Sequence, residues 1–405
     1  MSKILLFDKS LEKLNIPFKY SGMNLQNKIT GPMDIIKHRS LYTFNTMWMI
    51  SAIAASIYYM YIGIVTDKSF IEITSVAPCT TFSVLAFIKS ISHLVYEDDV
   101  QEIIALLRGL EMKENDREIN KKKQEIIDEE TGFLNAVINV LYVLNFSMII
   151  VFDLTPLILI ALKYHKTNEF EMMLPYMDVF CCIPSKLVYW PLAYIHQIWS
   201  ECIVLLEMGA ADCLFFTCCT YIRIQFKLLS HDFEAIISSR SISNGVFNEE
   251  QFRQEFAKLV QWHQVLIHST DVVEIIYSKS TLCNLVSSSF LICLTGFNVT
   301  IVDDIETIIT FLTFLFMGLL QVFFLCFYGD MLMSASMEIS NAVYYCQWYY
   351  AYPRVVRELI IVQTRAQQPC KLTASGFADV NLKAFMRVLS SAWSYFALLQ
   401  TVYSD

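Results

Sequence analysis

Four stretches of this 405-residue chain run for more than twenty residues without a charged side chain: 40–66, 131–152, 280–302 and 307–329. A bilayer's hydrocarbon core is about 30 Å thick, and a helix needs about 20 apolar residues to cross it. Lipid offers the backbone no hydrogen bonds, so such a run must satisfy its own as a helix or a closed barrel. Three more runs are interrupted but readable. The run 70–96 contains Lys89, 187–222 contains Glu201, Glu207 and Asp212, and 376–403 carries Lys383 and Arg387 near its start. The predicted fold is an all-α membrane protein with seven transmembrane helices, over 40–66, 70–96, 131–154, 187–222, 280–302, 307–331 and 376–403. A composition of 55% apolar and 17% charged residues fits that class. Little follows the last run, so the final span is expected to have a use of its own, such as lining a pore.

Charge sets the expected orientation. The first residues hold an apolar run too short for a secretory signal. With the N-terminus inside, the cytosolic segments 1–39, 97–130, 223–261 and 330–375 hold 22 of the 30 Lys and Arg. The outer segments hold only Lys68, Lys163, Lys166 and Lys186. Basic residues stay on the cytosolic side, which predicts a cytosolic N-terminus and an extracellular C-terminus. The aromatic-rich stretch 340–365 has Pro353, Arg354, Arg357 and Glu358 at its centre, too costly to bury in lipid. It is expected as a cytosolic helix within 338–367. Phe252, Phe256, Leu259, Trp262, Leu266 and Val273 recur at helical spacing. They predict a helix over about 223–279 that continues the fifth span below the membrane. Together these two segments form an expected cytosolic anchor whose apolar faces suit packing or subunit contact. Region 97–130 holds twelve acidic against six basic residues, a solvated helix-loop-helix rather than a nucleic-acid patch. With no Gly/Pro-rich linker or internal repeat, residues 1–405 read as a single membrane domain.

No cofactor or metal is expected. The twelve cysteines form no CxxC pair, and most read as small packing residues; a bridge at Cys181 or Cys182 in an outer loop stays open. His93, His196, His263 and His268 make no HExxH or HxxxH pattern, and neither GxSxG nor a P-loop occurs, so the chain does not read as an enzyme. A G-protein-coupled receptor would need an outside N-terminus, a DRY-like triplet after the third span and NPxxY in the seventh. The third span runs into Leu162-Lys163-Tyr164 and the seventh reads SYFALLQTV. A transporter is disfavoured because no inverted repeat is visible.

The C-terminal block carries an ordered set of residues. Gln321, Cys326, Tyr328 and Gly329 close the sixth span. Ser336, Ala342, Tyr345 and Trp348 follow in the next helix. Pro369, Thr373, Ala374, Phe377, Phe385, Ser394, Tyr395 and Phe396 lie in the last stretch, and LPYM stands at 174–177. This set resembles the insect odorant receptor family, densely over about 307–404 and in architecture over the rest. The sister gustatory receptors usually end on Thr-Tyr, five apolar residues and Gln-Phe. Here Thr401 and Val402 occupy the last two positions, with Gln400 one residue early, about 100° round the helix. A gustatory-type channel is therefore the nearest alternative. The co-receptor subunit resembles a longer chain, so this one reads as a ligand-tuning subunit.

The resemblance implies a plasma-membrane, multi-pass subunit of a heterotetrameric, non-selective cation channel. It would be formed with an insect odorant co-receptor and opened by a small volatile odorant. Ligand binding is implied in the outer half of the bundle, with Thr80, Tyr142, Phe146, Ile149, Tyr194, Ile198, Phe311 and Phe314 as candidate lining. Such side chains suit apolar, aromatic or ester-sized ligands. On the last helix Leu398 and Val402 are the expected apolar gate, closing by dewetting, with Thr401 as a polar ring beside it. Ionisable residues in a membrane usually have partners, and Lys89 is expected to pair with Glu201 in the inner half.

Overall fold

The computed structural model describes residues 5–23, 25, 32–115, 120–168, 172–175, 186–237, 242–243, 246–247 and 249–404. Cys181 and Cys182 lie outside the described residues, as do Tyr176 and Met177 of the LPYM stretch. In chain order the helices are α1 (Leu6–Ser21), α2 (Pro32–Val65), α3 (Phe70–Thr74), α4 (Ala77–Val95), α5 (Glu97–Asn115), α6 (Lys121–Thr167) and α7 (Lys186–Ala235). They continue as α8 (Glu249–Ile301), α9 (Ile305–Tyr345), α10 (Pro353–Ala366) and α11 (Leu382–Ser404). A two-residue antiparallel pairing, 242–243 on 246–247, sits between α7 and α8.

Among the described residues, six helices are long and apolar enough to cross a membrane: Arg39–Val65, Phe70–Val95, Lys121–Lys166, Tyr189–Ala235, Glu249–Ile301 and Thr307–Tyr350. The further helix, α11, keeps Lys383 and Arg387 in its first turns. The all-helical architecture is the one hydropathy predicts. Four of these helices far exceed a bilayer. The 53 residues of α8 span about 80 Å at 1.5 Å per residue, so the bundle extends well beyond the hydrocarbon core.

Two expected segments are divided differently. Residues 223–235 are the end of α7, and α8 begins only at Glu249. The apolar face of α7 continues without a break through Ile224, Phe226, Leu228, Leu229 and Phe233, all buried. Residues 338–345 likewise finish α9, and a new helix starts at Pro353. Proline's fixed φ and missing N–H suit the first turn of a helix, which is where α10 uses it. Val355, Leu359, Val362 and Ala366 then make one buried stripe at helical spacing.

The centre of the molecule is α7, which packs against α1, α2, α4, α5, α6, α8 and α9. Beneath it α1 buries Phe7, Leu11, Leu14 and Phe18. The first N–H groups of α1, at Leu6 and Phe7, donate to the Glu111 carboxylate at 2.6 and 2.9 Å, which satisfies donors a helix start leaves orphaned. The largest core joins α1, α5, α6, α7, α8, α9, α10 and the start of α11. Charged groups there are paired: Glu130 meets Lys227 at 2.6 Å and Arg223 at 2.9 Å, and Lys123 meets Asp232 at 2.8 Å. At the other end packing thins to two small clusters, Met49, Leu85, Ala86, Ile203, Val204 and Met208, and Met148, Phe152 and Phe314.

Candidate functional site

Between those two clusters lies a cavity of about 100 Å³. Five helices wall it: α2 gives Ala52, Ala55 and Ser56, α4 gives Cys79, Phe82 and Ser83 with Val76 at its N-cap, and α6 gives Met148, with Phe314 and Met317 from α9. One face of α7 completes it with His196, Gln197, Ser200, Glu201, Val204 and Leu205. Steps of three and four residues put these on one side of the helix. The walls are mostly apolar, and their polar groups are His196, Gln197, Ser200 and Glu201 on α7, Ser56 on α2 and Ser83 on α4. His196 Nε2 lies 2.8 Å from Ser51 Oγ, and its ring stacks on Trp48 at 5.0 Å. Phe314 is wedged between Phe82 (5.9 Å) and Phe152 (5.1 Å). An apolar cavity of about 150 Å³ accepts benzene; this one is about 100 Å³, so a single ring enters only as its walls move. Met148 and Met317 are the side chains best able to move, being unbranched and flexible.

Of the eight residues the resemblance pointed to, Phe314 lines this cavity. Thr80 stands beside Cys79 but turns its hydroxyl to the Val76 carbonyl of its own helix, at 3.0 Å. Ile149 and Ile198 are half-buried next to the lining residues Met148 and Gln197. Phe311 is buried one turn from Phe314. Tyr194 is buried and donates its hydroxyl to the Asp153 carbonyl at 2.5 Å. Phe146 points away from the bundle, 64% exposed. Tyr142 does not lie in an outer half: its hydroxyl donates to the Lys13 carbonyl of α1 at 3.3 Å. The error is one of phase and height. The inward face of α6 carries Asn145, Met148 and Phe152, and each step of one residue rotates a side chain by about 100°.

The expected Lys89–Glu201 pair is also corrected. Lys89 Nζ lies 2.5 Å from Asp212 Oδ1, and Gln321 Nε2 donates to Asp212 Oδ2 at 3.2 Å, so α4, α7 and α9 meet at one buried carboxylate. Glu201 is buried and lines the first cavity instead. Asp212 follows Glu201 by eleven residues, about three turns, so both face α4 and differ only in depth.

On α11, Ala384, Val388 and Ala392 are buried, and the helix packs on α8 and α9. Leu398 is 62% and Val402 69% exposed. Thr401 is exposed too, its hydroxyl donating to the Ala397 carbonyl at 2.9 Å.

Sequence reasoning missed the clamp that positions α11. Glu274 of α8 accepts from the Thr373 backbone N–H at 2.6 Å and from the Thr373 hydroxyl. Ser278 Oγ accepts from Ser375 N–H at 2.9 Å. Val380 N–H donates back to the Leu372 carbonyl at 2.8 Å, closing the loop, and Asn381 Oδ1 caps α11 through Ala384 N–H at 3.0 Å. Cys370, at the start of this loop, donates its N–H to Ser336 Oγ at 3.0 Å, and burial pushes its thiol above the usual range. Thr373 belongs to the ordered C-terminal set, but its partner is about a hundred residues away and has no local signal.

A family model described as 7tm Odorant receptor matches residues 69–393. The putative odorant receptor 92a of Drosophila melanogaster is 25% identical over 366 residues, covering 87% of this chain and 84% of that one. The putative odorant receptor 85d of the same species is 35% identical over 240 residues, 58% of this chain and 56% of that one. The fold is similar to that of the insect olfactory receptor OR5 from Machilis hrabei, solved in complex with eugenol. The TM-score is 0.78 over 98% of both chains, at 16% identity.

Proposed function

The chain belongs to the 7tm odorant receptor family, and from that premise we propose that it is the odorant-gated subunit of a heteromeric, non-selective cation channel formed with a co-receptor. It is a multi-pass membrane protein, which this reading places in the plasma membrane of a sensory dendrite, with its N-terminus in the cytosol. The observation that carries the proposal is the cavity between α2, α4, α6, α7 and α9, apolar over most of its wall with a few polar side chains, four of them on one stretch of α7. That distribution suits a small volatile with an apolar or aromatic body and one or two hydrogen-bonding groups, held by area burial and oriented by its polar end. Of the residues implied by resemblance, Phe314 is the strongest contact; Thr80, Ile149, Tyr194, Ile198 and Phe311 support the wall from behind. The exposed Leu398 and Val402 supply an apolar constriction when α11 faces its counterparts in an assembly, with Thr401 beside them.

The deciding experiment is whole-cell current with and without an insect co-receptor subunit, with a G-protein blocker in the pipette. Eugenol, with which the Machilis receptor was solved in complex, belongs in the first panel of single-ring volatiles. Rapid current that needs both chains and ignores the blocker supports the channel reading. Current abolished by the blocker overturns it.

A further inference from the structure

Helices α6 and α9 both lean on α7 and touch each other through aromatic side chains at two levels. Nearer the base, Phe133 meets Phe327 at 5.9 Å and Tyr328 at 6.3 Å. Nearer the first cavity, Phe152 meets Phe314 at 5.1 Å. Between these contacts lies a second cavity, of about 60 Å³. Leu141 and Asn145 of α6 line it on one side, Leu320 and Gln321 of α9 on the other, and all four are partly exposed. Phe82, Leu205 and Met317 line both cavities, so a thin apolar partition separates them.

The chemistry of this chamber selects its guest. Its carboxylate, Asp212, already holds the Lys89 ammonium at 2.5 Å and the Gln321 amide at 3.2 Å. With that charge met, a cation gains little and a neutral molecule fits. Around the chamber the surface is apolar: Val143 and Phe146 on α6 and Phe316 on α9 are each more than half exposed. Lipid tails are as apolar as leucine, so a molecule leaving the bilayer for this chamber gains nothing from hydrophobic burial. It gains instead a partner for a polar group that hydrocarbon leaves unsatisfied. Asn145 and Gln321 are the neutral hydrogen-bonding residues that line it.

We propose that this chamber is a second binding site, for the polar head of a neutral, lipid-soluble molecule carrying one hydroxyl or carbonyl, which enters sideways between α6 and α9 while its apolar chain stays in the bilayer. The inference rests on the bundle spanning a membrane, and not on the first cavity being the odorant site.

The test is photolabelling of the full-length chain in membranes with a diazirine-bearing octanol, mapped by mass spectrometry. The expected label falls on 141–145 and 320–324, which line only the second chamber, and is competed by excess octanol. Leu320→Trp fills the chamber and is expected to abolish that label while sparing label at Met148. Should this variant fail to reach the membrane, Asn145→Leu keeps the shape and is expected to weaken octanol competition about tenfold, the loss of roughly one hydrogen bond. Label that octanol does not compete, or that is confined to the first cavity, overturns the chamber. Competed label in the second chamber alone supports it and counts against the first cavity as the odorant site, so the two proposals fail separately.

Discussion

The Lys89–Asp212 pair is the contact whose loss the molecule would tolerate least. Both side chains are well buried, 5% and 14% exposed, so removing one leaves the other charged and unpaired in a low-dielectric interior. Breaking such a pair costs about 3–5 kcal/mol, so Lys89→Met is expected to lower the detergent melting temperature and surface level sharply. The exchange Lys89→Asp with Asp212→Lys should recover part of both. Recovery by exchanging Lys89 with Glu201 instead would refute the pairing. Phe314→Ala makes a complementary case: it removes a ring wedged between Phe82 and Phe152 and should enlarge the first cavity. Dose–response curves of the surface-expressed variant should then shift roughly tenfold toward weaker binding for single-ring ligands, about 1.4 kcal/mol, and favour larger ones. An unshifted curve would remove Phe314 from the site. At this scale the sequence was only partly readable. A buried lysine announces that it needs a partner, yet Glu201, Glu207 and Asp212 on the same helix all offer a carboxylate. Choosing among them takes the relative height of two helices, which periodicity does not contain.

Elements were more legible than their contacts, because lipid removes alternatives that water leaves open: an uncharged run of this length has to be helical. Below the membrane that constraint lapses, and there the boundaries of α7, α8 and α9 departed from expectation. What holds α11 in place is a loop, and two predictions belong to it. A Cβ added to Gly329 of α9 would strike the Val380 backbone carbonyl, which cannot yield as a flexible side chain would. Gly329→Ala should therefore push the loop off α9 and lower thermal stability, whereas Gly109→Ala, with open space around it, should be neutral or slightly stabilising in its helix. Equal effects from the two would mean that close approach is not why glycine stands at 329. Glu274→Gln keeps one carbonyl for the two Thr373 donors and should loosen the loop. Faster tryptic cleavage after Lys371, which is half-exposed beside Asp379, would register that.

At the scale of the whole molecule the open question is what the exposed side of α11 meets, and three surroundings are distinguishable. Lipid, a neighbouring subunit and an aqueous pore all accept Leu398 and Val402, and they differ in whether a charged, membrane-impermeant thiol reagent can reach a cysteine there. Leu398→Cys, Thr401→Cys and Val402→Cys, each co-expressed with a co-receptor subunit, should react from the outside and change odorant-evoked current, faster in the open channel than at rest. A lipid-facing side would stay unreactive because the thiolate form and the charged reagent are both excluded from hydrocarbon. A packed subunit contact would react at one rate whether or not odorant is present. In parallel Leu398→Ala and Val402→Ala should raise resting current, since widening an apolar ring lets water wet it. Orientation enters the same experiment. The 22-to-4 asymmetry of basic residues predicts that an N-terminal epitope is stained only after permeabilisation, which puts the far end of α11 on the reagent's side. Staining of intact cells would reverse the bundle, and reactivity at position 402 would then have to come from the cytosol.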